Sequence, residues 1–268
     1  MIICCSSPMV PAQTLTGKAE LLRTWGYDAI AVFQPYEEWN QAVRRELLQL
    51  ESRTGVRPVE FVLTADIYGQ AMAADERSRS ACRDMYRQAV DMCAELGMVT
   101  EIEFEYRSQD PMPLFEVYQQ LTAEQLDRFG EFYRELLNRV DGSTAAVLLE
   151  PLNRYESRYL NSVDDNLRVL DRVDHSGAGL LPDTFHMSIE EADIPQALRR
   201  AGDQVRHVHL GENNRLLPGS GSLDWSAIFG ALADIGYDGA VNLECATGAD
   251  PHQSLPQTVD YLRGLIAG

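Results

Sequence analysis

The chain has 268 residues, of which 45% are hydrophobic and 24% charged, and it carries a net charge of −18 at neutral pH. Its 41 acidic against 23 basic side chains argue against a nucleic-acid partner, because phosphate backbones are bound by concentrated Lys and Arg. No apolar run approaches the roughly 18 residues of a membrane span, and the start lacks the basic-then-apolar pattern of a secretion signal, so neither a membrane segment nor a signal peptide is expected.

Residues 2–5 form a short β-like run, ended by the turn chemistry of Ser6, Ser7 and Pro8. A helical pattern follows through Leu15, Ala19, Leu22 and Trp25, and Gly26 stops it. Residues 27–33 read as a buried strand. Residues 37–52 read as a helix, with Trp39, Val43, Leu47 and Leu50 at helical spacing. A third strand is predicted over 59–63, a loop over 66–74, and a long amphipathic helix over 76–96, closed by Gly97. The fourth strand, 100–106, reads TEIEFEY. Strict alternation puts Glu101, Glu103 and Glu105 on one face and Ile102, Phe104 and Tyr106 on the other. In a barrel the apolar face meets the helices, so the acids point inward and Glu105 becomes a candidate site residue; an exposed acidic strand is the plain alternative.

A loop over 110–113 precedes a helix over 122–140, whose Thr122 and Gln125 have the spacing of a capping box. Strands over 145–149, 179–181, 205–210 and 240–243 then alternate with helices over 161–173, 189–201, 222–235 and 254–267. Eight strands and eight helices in alternation, with no linker between them, predict one (β/α)8 barrel domain over 1–268, with its chemistry at the C-terminal ends of the strands. A doubly wound open sheet would need a glycine-rich phosphate turn after an early strand, and SSPMVPAQ stands there instead.

Four consecutive strand ends read alike: AAVLLE ending at Glu150, GLLPD at Asp183, RHVHL with His209, and AVNLE at Glu244. Parallel strands with helical crossovers set such ends side by side. Two glutamates, an aspartate and an imidazole make an oxygen-rich set that suits Mn²⁺ or Co²⁺, with Mg²⁺ also compatible. Taken singly, Glu150 has the ordinary reading of a strand-end cap, Asp183 of a turn former and His209 of a hydrogen-bonded core histidine. Their joint placement favours a metal, because burying three carboxylates together without a cation is very costly. His186 and Arg215 follow as further polar groups. His207 reads as a packing histidine or a support for His209, and His175 and His252 as surface residues. The five cysteines are odd in number and contain no CxxC, which predicts reduced thiols in a cytoplasmic protein.

The segments EPLNRYE, PDTFHM with IEEADI, HVHLGENNRLLPGSGSLDW and NLEC resemble the ketose 3-epimerases of the xylose-isomerase-like TIM barrel superfamily, which act on sugars such as D-tagatose, D-psicose and L-ribulose. The resemblance is close over about residues 145–245. It implies one divalent ion, Mn²⁺ first, held by Glu150, Asp183, His209 and Glu244. It implies that Glu156, His186 and Arg215 grip the sugar, and that the assembly is a homodimer or homotetramer. The implied reaction inverts C3 of a ketose through an enediolate, with Glu150 and Glu244 as the two bases. Two loops depart from the family pattern, CCSSPMVP after strand one and EFEYRSQDP after strand four. The family contacts the distal end of the sugar there, so Tyr106 and Arg107 become candidates for recognising something longer or differently charged than a free hexulose. The same barrel and metal also suit aldose–ketose isomerisation, dehydration, or cleavage of an oxidised C-glycoside. A non-catalytic sugar-binding subunit is a third expectation, against which the intact pair of Glu150 and Glu244 speaks.

Overall fold

The computed structural model describes residues 1–107, 112, 115 and 119–268. Apart from residue 112, the loop predicted over 110–113 lies outside them. The first half runs β1 (Ile2–Ser6), α1 (Leu15–Trp25), β2 (Ala29–Pro35), α2 (Gln41–Thr54), β3 (Arg57–Thr64), α3 (Glu76–Leu96), β4 (Val99–Ile102) and α4 (Ala123–Leu137). The second runs β5 (Ala146–Leu149), α5 (Val163–Val173), β6 (Ala178–Leu180), α6 (Thr184–Glu190), α7 (Ile194–Ala201), β7 (Val208–Leu210), α8 (Trp225–Asp234), β8 (Ala240–Leu243) and α9 (Pro251–Ala267).

All the strand pairs are parallel, in the order β6-β5-β4-β3-β2-β1-β8-β7. The bridges Leu180 to Val205 and Asp183 to His209 join the two ends of that order and close the ring. Most of the apolar core lies between strands and helices. Ile30, Phe61, Val147 and Leu210 pack outward there against Leu47, Met85, Tyr133 and Phe229. The barrel interior holds a small cluster of Cys4, Ala29, Ala31 and Ala240, and a second of Ala146, Leu148 and Leu181.

The helix ends follow local chemistry. Thr122 and Gln125 form the predicted capping box, and Gly97 ends α3 at φ 68°, a left-handed turn that glycine adopts without strain. The single helix predicted over 189–201 is instead two. Asp193 caps a new start by accepting from the Gln196 N–H at 2.8 Å, and Pro195 stands in the first turn, where its missing N–H costs nothing. Strand four also differs: it ends at Ile102, and the chain then crosses the barrel mouth. There the Tyr106 N–H donates to Gly69 O (3.4 Å) and the Arg107 N–H to Glu156 O (2.8 Å). Gly69 has φ +67°, and a Cβ on it would lie 2.4 Å from the Tyr106 backbone nitrogen, so this crossing depends on glycine. Alternation nonetheless persists through Phe104. Glu101 and Glu103 are buried inward, while Phe104 packs outward on Phe129 and Tyr159 at ring distances of 5.4 and 5.0 Å.

Candidate metal centre and catalytic cavity

Glu150, Asp183 and Glu244 follow β5, β6 and β8 and His209 lies within β7, and each offers a ligand atom within 4.8 Å of the others. His209 Nδ1 stands 3.2 Å from Glu244 Oε2 and 3.6 Å from Glu150 Oε1. Asp183 divides its carboxylate. One oxygen caps α6 by accepting from the Phe185 N–H at 2.6 Å, and the other accepts from the Arg215 guanidinium at 2.7 Å. Arg215 also donates to Glu244 Oε2 at 2.7 Å and lies 4.5 Å over the Phe185 ring. Its backbone is left-handed, with φ 58°. The loop that imposes this turns around the Glu212 carboxylate, which accepts from Trp225 Nε1 (2.7 Å) and from the backbone N–H groups of Gly219, Leu223 and Asn213.

The donor set fits a divalent cation. Glu150 Oε1 and His209 Nδ1 are buried and have no hydrogen-bond partner among the described residues. The electrostatics agree. Burial raises the Glu150 carboxyl, His209 opposes it, and Glu244 and Asp183 add to the rise. Burial acts the same way on Glu244, but His209 and Arg215 outweigh it and hold that carboxyl low. The His209 imidazole would lose its proton to burial, yet Glu60 and Glu244 favour the charged ring. Three acids crowd one imidazole and one guanidinium, and a cation supplies the charge that such a group lacks.

Glu60 on β3 was not anticipated. It is fully buried, with its oxygens 3.0 and 3.1 Å from His209 Nε2 and 3.2 Å from His207 Nε2. Asn242 donates to it at 3.3 Å. Burial would raise this carboxyl, but the two imidazoles prevail and hold it at about 2. An acceptor at Nε2 keeps the proton of a neutral His209 on that nitrogen and turns the Nδ1 lone pair toward the carboxylates. Glu60→Ala is therefore expected to weaken divalent-metal affinity about 10–100-fold, as read by metal titration. Unchanged affinity would show that Glu60 only fills space.

Glu150, Glu156, His186, Arg215 and Glu244 line one cavity of about 230 Å³. Asn153 links two of them, with Nδ2 2.8 Å from Glu156 Oε1 and 2.7 Å from His186 Nδ1. Burial lowers the His186 pKa. The same cavity is lined by Glu101 and Glu103, which lie within 4.8 Å of Glu150 and are bridged by the Tyr68 hydroxyl at 2.8 and 2.7 Å. Glu105 is not among these groups. Because β4 ends early, its carboxylate turns away and pairs with Arg107 (2.7 Å) and Arg158 (2.8 Å) in a neighbouring cavity. His207 lies beneath His209, His252 is exposed and His175 is half-buried against Asp141 at 3.2 Å.

Glu103 carries a pH signature. Burial pushes its carboxyl up to about 7, against the donating hydroxyls of Tyr68 and Tyr86. A folded pKa above the ordinary 4.5 gives a stabilising contribution that is complete below about 4.5 and lost as pH rises through about 7. Glu103→Gln should remove up to ~3 kcal/mol of that pH dependence. Urea unfolding at pH 5 and pH 8 tests this: equal slopes for parent and variant would refute it.

Three carboxylates and an imidazole converge at the C-terminal mouth of an eight-stranded parallel barrel and form a candidate metal site. The xylose isomerase-like TIM barrel profile matches residues 19–265, and the chain belongs to that family. Among curated relatives, a D-psicose 3-epimerase of Enterocloster bolteae is 44% identical over 111 residues, which cover 41% of this chain and 37% of that protein. A 3-dehydro-D-guloside 4-epimerase of Escherichia coli is 38% identical over 130 residues, covering 48% of this chain and 50% of that one. The matched stretches thus span half or less of those relatives. The barrel also superposes on a solved D-psicose 3-epimerase of Clostridium cellulolyticum with TM-score 0.84 over 99% of both chains, at 23% identity, which speaks to the fold alone.

Proposed function

We propose that the protein is a divalent-metal-dependent sugar epimerase that inverts the carbon beside a ketone, with C3 of a ketose as the first assignment. One observation carries this reading: Glu150 and Glu244, from strands separated by two others, face the same cavity around His209 and Asp183. Glu150, Asp183, His209 and Glu244 would hold the ion, and Mn²⁺ suits their donor set best. A divalent ion bound there supplies Lewis-acid stabilisation for negative charge developing on the sugar oxygens. One glutamate takes the proton from the carbon beside the ketone, and the other delivers a proton to its opposite face. Arg215, His186 and Glu156 hydrogen-bond the ketone end and fix its orientation. Five free cysteines, four of them buried, support a cytoplasmic setting; a homodimer or homotetramer rests on the family resemblance.

A second reading keeps the proton transfer but moves it to a ring-closed keto-glycoside. The name of the Escherichia coli relative and the large cavity beside the site favour it. The test is a metal-reconstituted assay in D₂O against D-fructose, D-tagatose, D-psicose, L-ribulose and methyl 3-keto-glucoside. Deuterium beside the ketone together with the matching epimer is expected. An aldose, an unsaturated product or no exchange with any of them would overturn the proposal.

A further inference from the structure

We propose that Asn153 is a positioning residue that holds His186 as a neutral Nε2–H donor, and Glu156 as an acceptor, for the two adjacent oxygens of an α-hydroxy ketone; this rests on the epimerase reading above. Asn153 is buried in the loop after β5. Its backbone N–H donates to His186 Nδ1 at 3.2 Å, and its Nδ2 lies 2.7 Å from the same nitrogen. The other Nδ2 hydrogen goes to Glu156 Oε1 at 2.8 Å. Its Oδ1 accepts from the Tyr155 N–H at 2.9 Å. Turning the amide over would set Nδ2 against the Tyr155 N–H and Oδ1 against the Glu156 carboxylate, so its partners fix its orientation. Two donors then converge on His186 Nδ1, which is therefore the bare nitrogen. The ring is neutral, and its one proton sits on Nε2. Turning the ring over instead would face both donors with a carbon.

The next residue clamps the loop in place. The Arg154 N–H donates to Glu190 Oε1 at 2.6 Å, and its guanidinium donates to Glu190 Oε2 at 2.8 Å. His186 and Glu190 lie four residues apart on α6 and share one face of it. Successive N–H groups of the loop thus meet successive turns of the helix, and Asn153 shifts along it only if the Arg154 pair breaks. His186 lines the catalytic cavity, with Nε2 3.9 Å from Glu150 Oε1 and so beyond a hydrogen bond to it. A neutral N–H there donates to a ketone oxygen, and the bond strengthens as negative charge develops on that oxygen. The ring takes no proton from carbon, because its lone pair is engaged by Asn153; the proton transfers are left to Glu150 and Glu244. Asn153 engages Oε1 of Glu156, and Oε2 is the acceptor for the neighbouring hydroxyl. One amide thereby gives opposite polarities to two adjacent groups, a donor for the carbonyl and an acceptor for the hydroxyl beside it.

The test begins with the ring itself. In Mg²⁺-loaded protein carrying ¹⁵N-labelled histidine, His186 should show a bare Nδ1 and a protonated Nε2, its signals being assigned by their loss in His186→Gln. A protonated Nδ1 in the parent overturns the proposal without any variant. Asn153→Asp keeps an acceptor for the Tyr155 N–H but sets a carboxylate oxygen against Nδ1, so a proton should appear on that nitrogen; an unchanged ring overturns the proposal. Kinetics on the Mn²⁺-loaded protein use the sugar that the exchange assay identifies. Asn153→Ala should lower kcat by about 10-fold or more through misplacement of both groups, with divalent-metal affinity unchanged. In a His186→Gln, Glu156→Gln background the same change should cost less than about 2-fold, because both groups that Asn153 serves are gone. An equal loss in both backgrounds marks a merely structural residue and overturns the proposal. A bare Nδ1 that Asn153→Asp protonates, in a protein that exchanges no sugar, ends the epimerase reading and leaves the assignment of the ring standing.

Discussion

Glu150→Gln and Glu244→Gln should each lower epimerisation by about 10²–10⁴-fold, the range that a positioned general base contributes. The amide preserves shape and one oxygen donor but cannot accept the proton. Loss of metal would imitate this outcome, so metal content must be measured on the same samples. The more discriminating result is an asymmetry. With one base gone, the other still faces its own side of the substrate carbon. Each variant should then exchange solvent deuterium into one epimer of a pair and not the other, and the two variants should choose opposite epimers. Parent-like turnover in either variant would remove that carboxylate from the chemistry. Symmetrical residual exchange would point to a single base working on both faces.

Chelation should abolish turnover, and Mn²⁺ should restore it. It should also destabilise the fold. An ion at 100 times its dissociation constant stabilises by ~2.7 kcal/mol, which for a chain of this size moves the melting temperature by roughly 5–10 °C. Without the ion, the carboxylates of Glu150, Asp183 and Glu244 are balanced among the described residues chiefly by His209 and Arg215, while Glu101 and Glu103 crowd Glu150 further. A Glu150→Gln, Glu244→Gln double variant should lose the chelator-dependent shift as well as the activity. An identical melting temperature with and without chelator would argue that no ion is held there.

Much of the candidate centre was legible because Glu150, Asp183 and Glu244 each close an apolar run, and His209 stands one residue before the end of β7. A carboxylate or imidazole after three or four buried residues commonly marks a strand end, and four in succession on consecutive strands point to neighbouring positions in the barrel. The strand–helix alternation was legible for the same reason. Glu60 was harder to see, because it sits within the apolar run VEFVLT rather than at its end. A signal existed: a lone acid in a buried strand must find a partner, but its partners His207 and His209 are nearly 150 residues away in sequence. Glu105 was misplaced for a different reason. Alternation predicts direction only while the strand lasts, and β4 ends at Ile102. The break between α6 and α7 was encoded in Asp193 and Pro195, a start signal masked by the continuing apolar spacing around it. The segment GENNRLLPGSGSLDW drew notice for Arg215, yet its other acid, Glu212, shapes the loop by gathering the backbone N–H groups around it.

Between β6 and β7 the ring of strands is completed by two isolated pairings, Leu180 to Val205 and Asp183 to His209. The second of these joins two of the proposed ligands. The buckle of the belt and the grip on the ion are thus one fitting. Whatever fills the grip also fastens the buckle, and a change at Asp183 or His209 loosens scaffold and chemistry at a stroke, which makes Glu150 and Glu244 the cleaner places to interrogate the reaction.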